Sequence, residues 1–306
     1  MSNRSMVWVW WTCAEGLTRT ATKGLLKVMG LAETSGAAFV LATAIIGVVQ
    51  LVTGFFGSIF RKKAFAENQT YVIGSIAFGV LAYIVTVLSF LVFHLGGDMG
   101  VNTFITTLAI IPGGIIGSIV FRDKLYPRQW FAMTLAIVAG YLVIGRPSLA
   151  EFFELPLWIW LSFITMFGIG INQAIVQYIR GVDPMVQNFW VGLTQTVLCV
   201  GTIAVMGGWS VFAADAPPVS FWALAALIGV INVAMLVFNI VSYKLGASIA
   251  LKKLVMNGVH LSTAMIAGIT LFNEAANVEK FAGVLLYLVA YAVWDSDTWR
   301  SFGLKT

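Results

Sequence analysis

Residues 71–94 read YVIGSIAFGVLAYIVTVLSFLVFH, a stretch without a single Asp, Glu, Lys or Arg. A bilayer core about 30 Å thick takes roughly 20 apolar residues to cross as a helix, so this stretch predicts one complete pass. Moving on by 150 residues reaches FWALAALIGVINVAMLVFNIVSYK at 221–244, of the same length and character. Gly79 falls on Gly229, and the run Phe93-His94-Leu95-Gly96 falls on Tyr243-Lys244-Leu245-Gly246. The same shift holds outward in both directions without a gap. Trp8 and Trp10 meet Trp158 and Trp160, Glu33 meets Asp183, Phe39 meets Phe189 and Gly57 meets Gly207. Further on, Phe131-Ala132 meets Phe281-Ala282 and Tyr141 meets Tyr291. Matched apolar residues are cheap in so apolar a chain; matched Trp pairs, loop acids and Leu-Gly turns are not.

The same ruler laid along the whole chain predicts ten spans, near 5–27, 37–60, 71–94, 101–121, 129–146, 157–179, 186–207, 219–243, 248–272 and 280–296. The fold expected is an all-α membrane protein of two five-helix repeats, 1–150 and 151–306. Five is odd, so the second copy enters from the opposite side, and the repeats have inverted topology. Composition points the same way. Of 306 residues 59% are hydrophobic and only 10% charged, where a soluble domain carries about 25% charged residues. That excludes an ordinary cytosolic enzyme, a disordered chain and a nucleic-acid binder. The net charge of +5 does not reopen the last, because the basic residues stand in short clusters between apolar runs.

Those clusters orient the chain. Arg61–Lys63, Arg122, Lys124, Arg128, Arg180 and Lys244 fall on the side of both termini; Lys27, Arg146 and Lys280 fall on the other. By the positive-inside bias both termini are cytoplasmic, and a prokaryotic inner membrane fits. The sequons at Asn3 and Asn68 are then on the cytoplasmic side and unused. Met6–Ala14 is too short for a signal segment and is followed by Glu15, so no cleaved leader is expected. Cys13 and Cys199, both within apolar runs, suggest no disulfide framework.

Each half ends in a helix, a short charged turn and a helix rich in glycine and aromatics: GGIIGSIVFRDKLYPRQWFAMTLAIVAGYLVIG at 113–145 and AMIAGITLFNEAANVEKFAGVLLYLVAYAVW at 264–294. With five-span halves, this resembles the ten-span, EamA-like branch of the drug/metabolite transporter superfamily, over nearly the whole chain. The resemblance implies a central cavity surrounded by the first, third, fourth, sixth, eighth and ninth spans. Its members typically carry a glutamate in the turn after the fourth and ninth spans. Glu274 matches in the second copy, whereas the first has Asp123-Lys124.

Within the spans, polar side chains are costly, and the first span holds the most informative ones. At 100° per residue, Thr12, Glu15, Thr18, Arg19, Thr22 and Lys23 share an arc of roughly 140°. Glu15 and Lys23 stand about 12 Å apart along the axis. Three unpaired charges at the bilayer centre would cost roughly 8–10 kcal/mol, so the stripe faces water or protein and not lipid. Glu15 and Arg19, four residues apart, can neutralise each other. Two readings follow: a structural pair with Lys23 reaching to the interface, or the wall of a transport cavity. In the second, Arg19 and Lys23 attract an anionic group while Glu15 takes an amine or a coupling proton. The repeat mates Thr165, Ile169 and Gln173 are uncharged, which fits a site for an asymmetric ligand.

Tyr83, Asn232, Asn257 and His260, mid-span, and Asn172, late in the sixth span, lie in helices that the resemblance places around the cavity and complete the candidate substrate-binding set, each equally readable as interhelical hydrogen-bond glue. Lys252-Lys253 open the ninth span and read as positive-inside anchors or as guides for an anion. Pro112-Gly113-Gly114 with Gly117 marks a hinge or a close contact in the fourth. Trp130, Trp158, Trp209, Trp222, Trp294 and Trp299 near span ends fit interfacial belts.

No HExxH, Cys/His cluster, phosphate-binding glycine loop or Ser-His-Asp set is present, so no enzyme, metal or cofactor is expected. The function expected is secondary active transport of a small polar or amphipathic metabolite by alternating access. An amino-acid-like zwitterion is slightly favoured, because it satisfies both Glu15 and Arg19. The partners are the lipid bilayer, the substrate and a coupling proton or counter-substrate. The alternative is a non-transporting membrane subunit that binds lipid or a partner protein.

Overall fold

The structure, a computed structural model, describes residues 7–32, 36–66, 68–120, 125–179, 181–206, 218–245 and 249–294. Asn3, Glu33, Arg122, Asp123, Lys124, Arg180, Gly207, Trp209, Gly246 and Trp299 of the sequence reading lie outside the described residues, as do the side chains of Tyr243, Lys244 and Lys253. All regular structure among the described residues is helical: α1 (Val7–Ala32), α2 (Gly36–Phe60), α3 (Gln69–His94), α4 (Met99–Thr107), α5 (Ile110–Val120), α6 (Pro127–Val143), α7 (Leu149–Phe153), α8 (Leu157–Tyr178), α9 (Pro184–Val205), α10 (Val219–Lys244), α11 (Ile249–Phe272) and α12 (Val278–Trp294).

Among the described residues seven segments are long and apolar enough to cross a membrane: α2, α3, α4 with α5, α9, and the apolar parts of α8, α10 and α11. The architecture is that of an integral membrane protein. Helix α1 is as long as these but carries Glu15, Arg19, Lys23 and Lys27. Helices α6 and α12 have 17 residues each, about 25 Å of rise.

Chain punctuation explains the ends. Asp98 caps α4 by accepting from the Val101 N–H at 2.8 Å, and Asp183 caps α9 by accepting from Met185 at 2.8 Å. Helices α3 and α6 stop alike, at Gly96 (φ +83°) and Gly145 (φ +97°). In each turn two amides bond back to helix carbonyls, Gly96 to Phe93 and Gly97 to Val92, and Gly145 to Leu142 and Arg146 to Tyr141. This pattern needs a left-handed residue, which glycine adopts without strain.

The predicted fourth span departs from expectation. It is two helices, α4 and α5, broken at Leu108–Ala109. Pro112 has no N–H to offer the Leu108 carbonyl, which accepts instead from Ile111 at 2.9 Å. The Thr107 carbonyl accepts from the Tyr287 hydroxyl of α12 at 3.0 Å, as the interior of a membrane protein requires of a freed backbone group. At the matching place α11 has Ser262 and runs unbroken. The short α7, inside the polar interruption 146–156, was not foreseen; a Ser148–Glu151 capping box starts it.

Helix α2 lies along α9, and α6 along α12. Helix α1 packs on α10 and α11, and α8 on α3 and on α4 and α5; α3 meets α9 as α10 meets α2. The α2–α9 crossing is backbone on backbone. A Cβ at Gly54 would stand 2.7 Å from the Met185 carbonyl oxygen and 2.8 Å from Phe189 Cα, and one at Gly192 2.5 Å from the Gly47 carbonyl oxygen. Around α1 the apolar core includes Leu26, Met29, Phe39, Phe90 and Phe93, with the Phe39 and Phe90 rings stacked at 5.4 Å. A second core lies around Phe104 and Tyr287, and the polar stripe of α1 reaches α4, α10 and α11.

Candidate functional site: the charged stripe of the first helix

Helix α1 turns its exposed apolar residues Trp10, Leu17 and Val28 to one side. At 100° per residue Arg19 sits about 180° away from them. Glu15, Lys23 and Lys27 share its half of the helix.

Glu15 is fully buried and lies between two cations. Its Oε1 accepts from Arg19 Nη2 at 2.9 Å and Nε at 3.3 Å. Its Oε2 stands 2.9 Å from the Nζ of Lys252 on α11. The hydrogen bonds of Lys252 Nζ run to Asn239, to the backbone oxygen at 3.0 Å and to Oδ1 at 2.7 Å. Arg19 faces the interior, yet its side chain is 34% exposed. The exposed part of this side chain thus lies opposite the exposed apolar residues of its own helix.

One turn on, Lys23 donates to Asn102 Oδ1, and its ammonium lies 5.8 Å from the centre of the Phe93 ring. Asn102 in turn donates to Ser162 Oγ at 2.8 Å, joining α1, α4 and α8. Thr22 donates to Asn232 Oδ1 at 3.3 Å. Thr20 contacts His260 Nδ1 at 3.0 Å and Thr263 Oγ1 at 2.7 Å, tying α1 to α11.

The far end of the stripe closes on a second charged group. Lys27, buried, donates to Glu274 and to the Gly97 carbonyl at 3.1 Å, with the Phe272 ring 4.8 Å away. Glu274 also accepts from the Met99 N–H and, at 3.2 Å, the Gly100 N–H. It thus sits on the positive end of α4. Lys280 bridges Asp98 Oδ2 at 2.5 Å. Burial works to raise both acids. In Asp98 hydrogen bonds with Glu274, Lys280 and the Val101 N–H outweigh it and hold the carboxyl below its usual range. In Glu274 burial and the hydrogen bond with Asp98 prevail and lift it. The group depends on Gly268, where any Cβ would collide with the Glu274 carboxylate. Gly268→Ala is expected to displace that carboxylate from Lys27 and lower the melting temperature in detergent by several degrees, corresponding to about 1–3 kcal/mol.

Of the sequence-predicted residues, the stripe gathers Glu15, Arg19, Lys23, Asn232 and His260. Asn257 turns toward α12, donating to the Tyr287 hydroxyl at 3.4 Å. Tyr83 pairs with Thr202 of α9 at 2.8 Å. Asn172 is buried, and its Oδ1 makes no hydrogen bond among the described residues. Sequence reasoning missed Asn102, Asn239, the inward placement of Lys252, and the Lys27–Glu274 pair. One signal pointed to two of them: the 150-residue shift places Lys252 on Asn102, so α4 and α11 each carry a polar group three residues in from their start.

No protein-family model and no curated protein sequence matches this chain. Its fold is shared with solved structures, 27 chains of which match. One, a crystal structure whose description names no activity, aligns with a TM-score of 0.61 at 13% identity, over 95% of this chain and 98% of the other.

Proposed function

We propose that this chain is a secondary active transporter of the drug/metabolite transporter type, moving a small polar or amphipathic metabolite by alternating access. The observation that carries the reading is Arg19, opposite the lipid face of its helix and still a third exposed. An interior cation that water can reach, in a helix flanked by apolar cores, is a place for a solute.

The helix pairings support two inverted five-helix repeats, with ten spans in all. Shifted by 150 residues, the contacts of α1 with α10 and α11 become those of α8 with α3 and with α4 and α5. The α2–α9 and α6–α12 pairs map onto themselves, as pairs on a two-fold axis do. Ion pairs fit the two-sided arrangement. Lys27–Glu274, Asp98–Lys280 and Arg146–Glu279 join loops and ends assigned to the outer side, and Arg61–Asp183 joins loops assigned to the cytoplasmic side with both termini. A prokaryotic inner membrane is the setting that the charge bias favours.

Glu15 is the carboxylate on which a coupling proton would act. Protonation would remove the negative partner of both Arg19 and Lys252 at once, so proton and solute occupancy become linked. Purified protein in liposomes, screened for uptake of amino acids, amines, sugars and phosphorylated metabolites with and without a pH gradient, tests the reading. Wild type is expected to accumulate one class. Arg19→Gln should abolish that uptake, and Glu15→Gln should remove its dependence on the gradient. Absence of flux for every class, or full transport by both variants, would overturn it.

A further inference from the structure

We infer that the solute of this site is an oxyanion, a small carboxylate or phosphate held by Arg19 and Lys23, with Glu15 committed to the protein's own cations. The inference rests on the transport reading for the site's place in the bundle. It follows from how the charges are distributed among partners.

Among the described residues around Glu15, the stripe and α11 bring Arg19, Lys23 and Lys252 to this one carboxylate, while Lys27 at the far end of the stripe has its own partner in Glu274. Both carboxylate oxygens already face a cation, so an incoming ammonium would have to displace one of them against a surplus of positive charge. The opposite holds for an anion. Arg19 Nη1 makes no hydrogen bond among the described residues, and the side chain is open to solvent. The polar partner of Lys23 among the described residues is the neutral amide of Asn102, and no carboxylate there lies within ion-pair distance of it. The neighbouring polar groups, Thr22 with Asn232 and Thr20 with His260, carry no negative charge to offset it, and Glu274 further along is engaged by Lys27. Charge held in a low-dielectric interior calls for an opposite charge. A guanidinium fork presents two donors matched to a pair of carboxylate or phosphate oxygens. The Lys23 ammonium, one turn along the same face, offers a second point of attachment.

The inference changes the expected ligand from a zwitterion to an anion. Binding to purified protein can be followed by melting temperature against succinate, glycerol 3-phosphate, alanine, putrescine and glycerol, with uptake of the same five compounds into liposomes. Succinate or glycerol 3-phosphate is expected to bind most tightly, and which of them does so tells carboxylate from phosphate. Arg19→Gln and Lys23→Gln should each weaken that binding at least about tenfold. Lys23→Arg, which keeps the charge and guards against a mere folding defect, should stay within about threefold of wild type. Arg146→Gln, at the exposed Glu279 pair, should leave binding unchanged. Tighter binding of alanine, putrescine or glycerol, no binding of either anion, or anion binding that survives both Gln variants overturns the assignment. Anion binding with no flux of any compound would overturn the transport reading and leave the anion site standing; uptake of alanine or putrescine alone would do the reverse.

Discussion

Replacing Glu15 by Leu is expected to lower the unfolding free energy by about 3–5 kcal/mol, the usual cost of breaking a buried ion pair from one side. Lys252 is 2% exposed and would lose the carboxylate that faces it while keeping its bonds to Asn239. Its charge would then be held in a low-dielectric interior beside Arg19, with no carboxylate between them. The double variant Glu15→Leu with Lys252→Met removes both members, and a well-filled apolar replacement of a buried pair is often neutral. It should recover most of the loss. Unfolding in mixed micelles, with the four proteins compared as a cycle, measures the coupling. Purely additive losses would mean that the 2.9 Å contact does not stabilise this helix pair. Transport separates from stability in the same proteins, since Arg19 stays in place in both Leu variants.

The second large effect is expected at the α2–α9 crossing. Gly54→Ala and Gly192→Ala should each destabilise by about 3 kcal/mol, the upper end of overpacking penalties. The obstacle to each new methyl is backbone: the Met185 carbonyl and Phe189 for Gly54, the Leu51 amide and Gly47 carbonyl for Gly192. Backbone cannot rotate aside as a side chain does, so the helices must separate along their length. Gly201→Ala, on the same α9 but with nothing within 4 Å of its added Cβ, should instead gain about 0.5–1 kcal/mol from helix propensity. Equal melting temperatures for the variants at Gly54, Gly192 and Gly201 would show that the crossing tolerates separation.

Much of this molecule is readable from its sequence. Among the described residues helices occupy every apolar stretch that the bilayer ruler picked out, and the Leu95-Gly96 turn after α3 is a helix stop, because a left-handed residue there has a local cause. The Glu15–Arg19 pair was equally legible, since four residues on a helix bring side chains together whatever surrounds them. The break after Thr107 was half visible. Pro112 marks a missing hydrogen bond, but where the freed carbonyl goes depends on Tyr287, on a distant helix.

The limit of that reading is set by distance along the chain. Spacing and periodicity report which residues share a face, and they pointed to the helices and to the unusual polarity of α1. They carry no information about which other helix that face meets. Lys252 and Lys253 look alike as a basic pair at a helix start, and only the contact of α11 with α1 turns Lys252 inward to Glu15. The sequence by itself determined that a charged stripe must avoid lipid, because hydrocarbon solvates no charge. Tertiary structure alone decided which charges cancel there and which are left over, because pairing energy depends on separations of a few ångströms between helices that the sequence does not place.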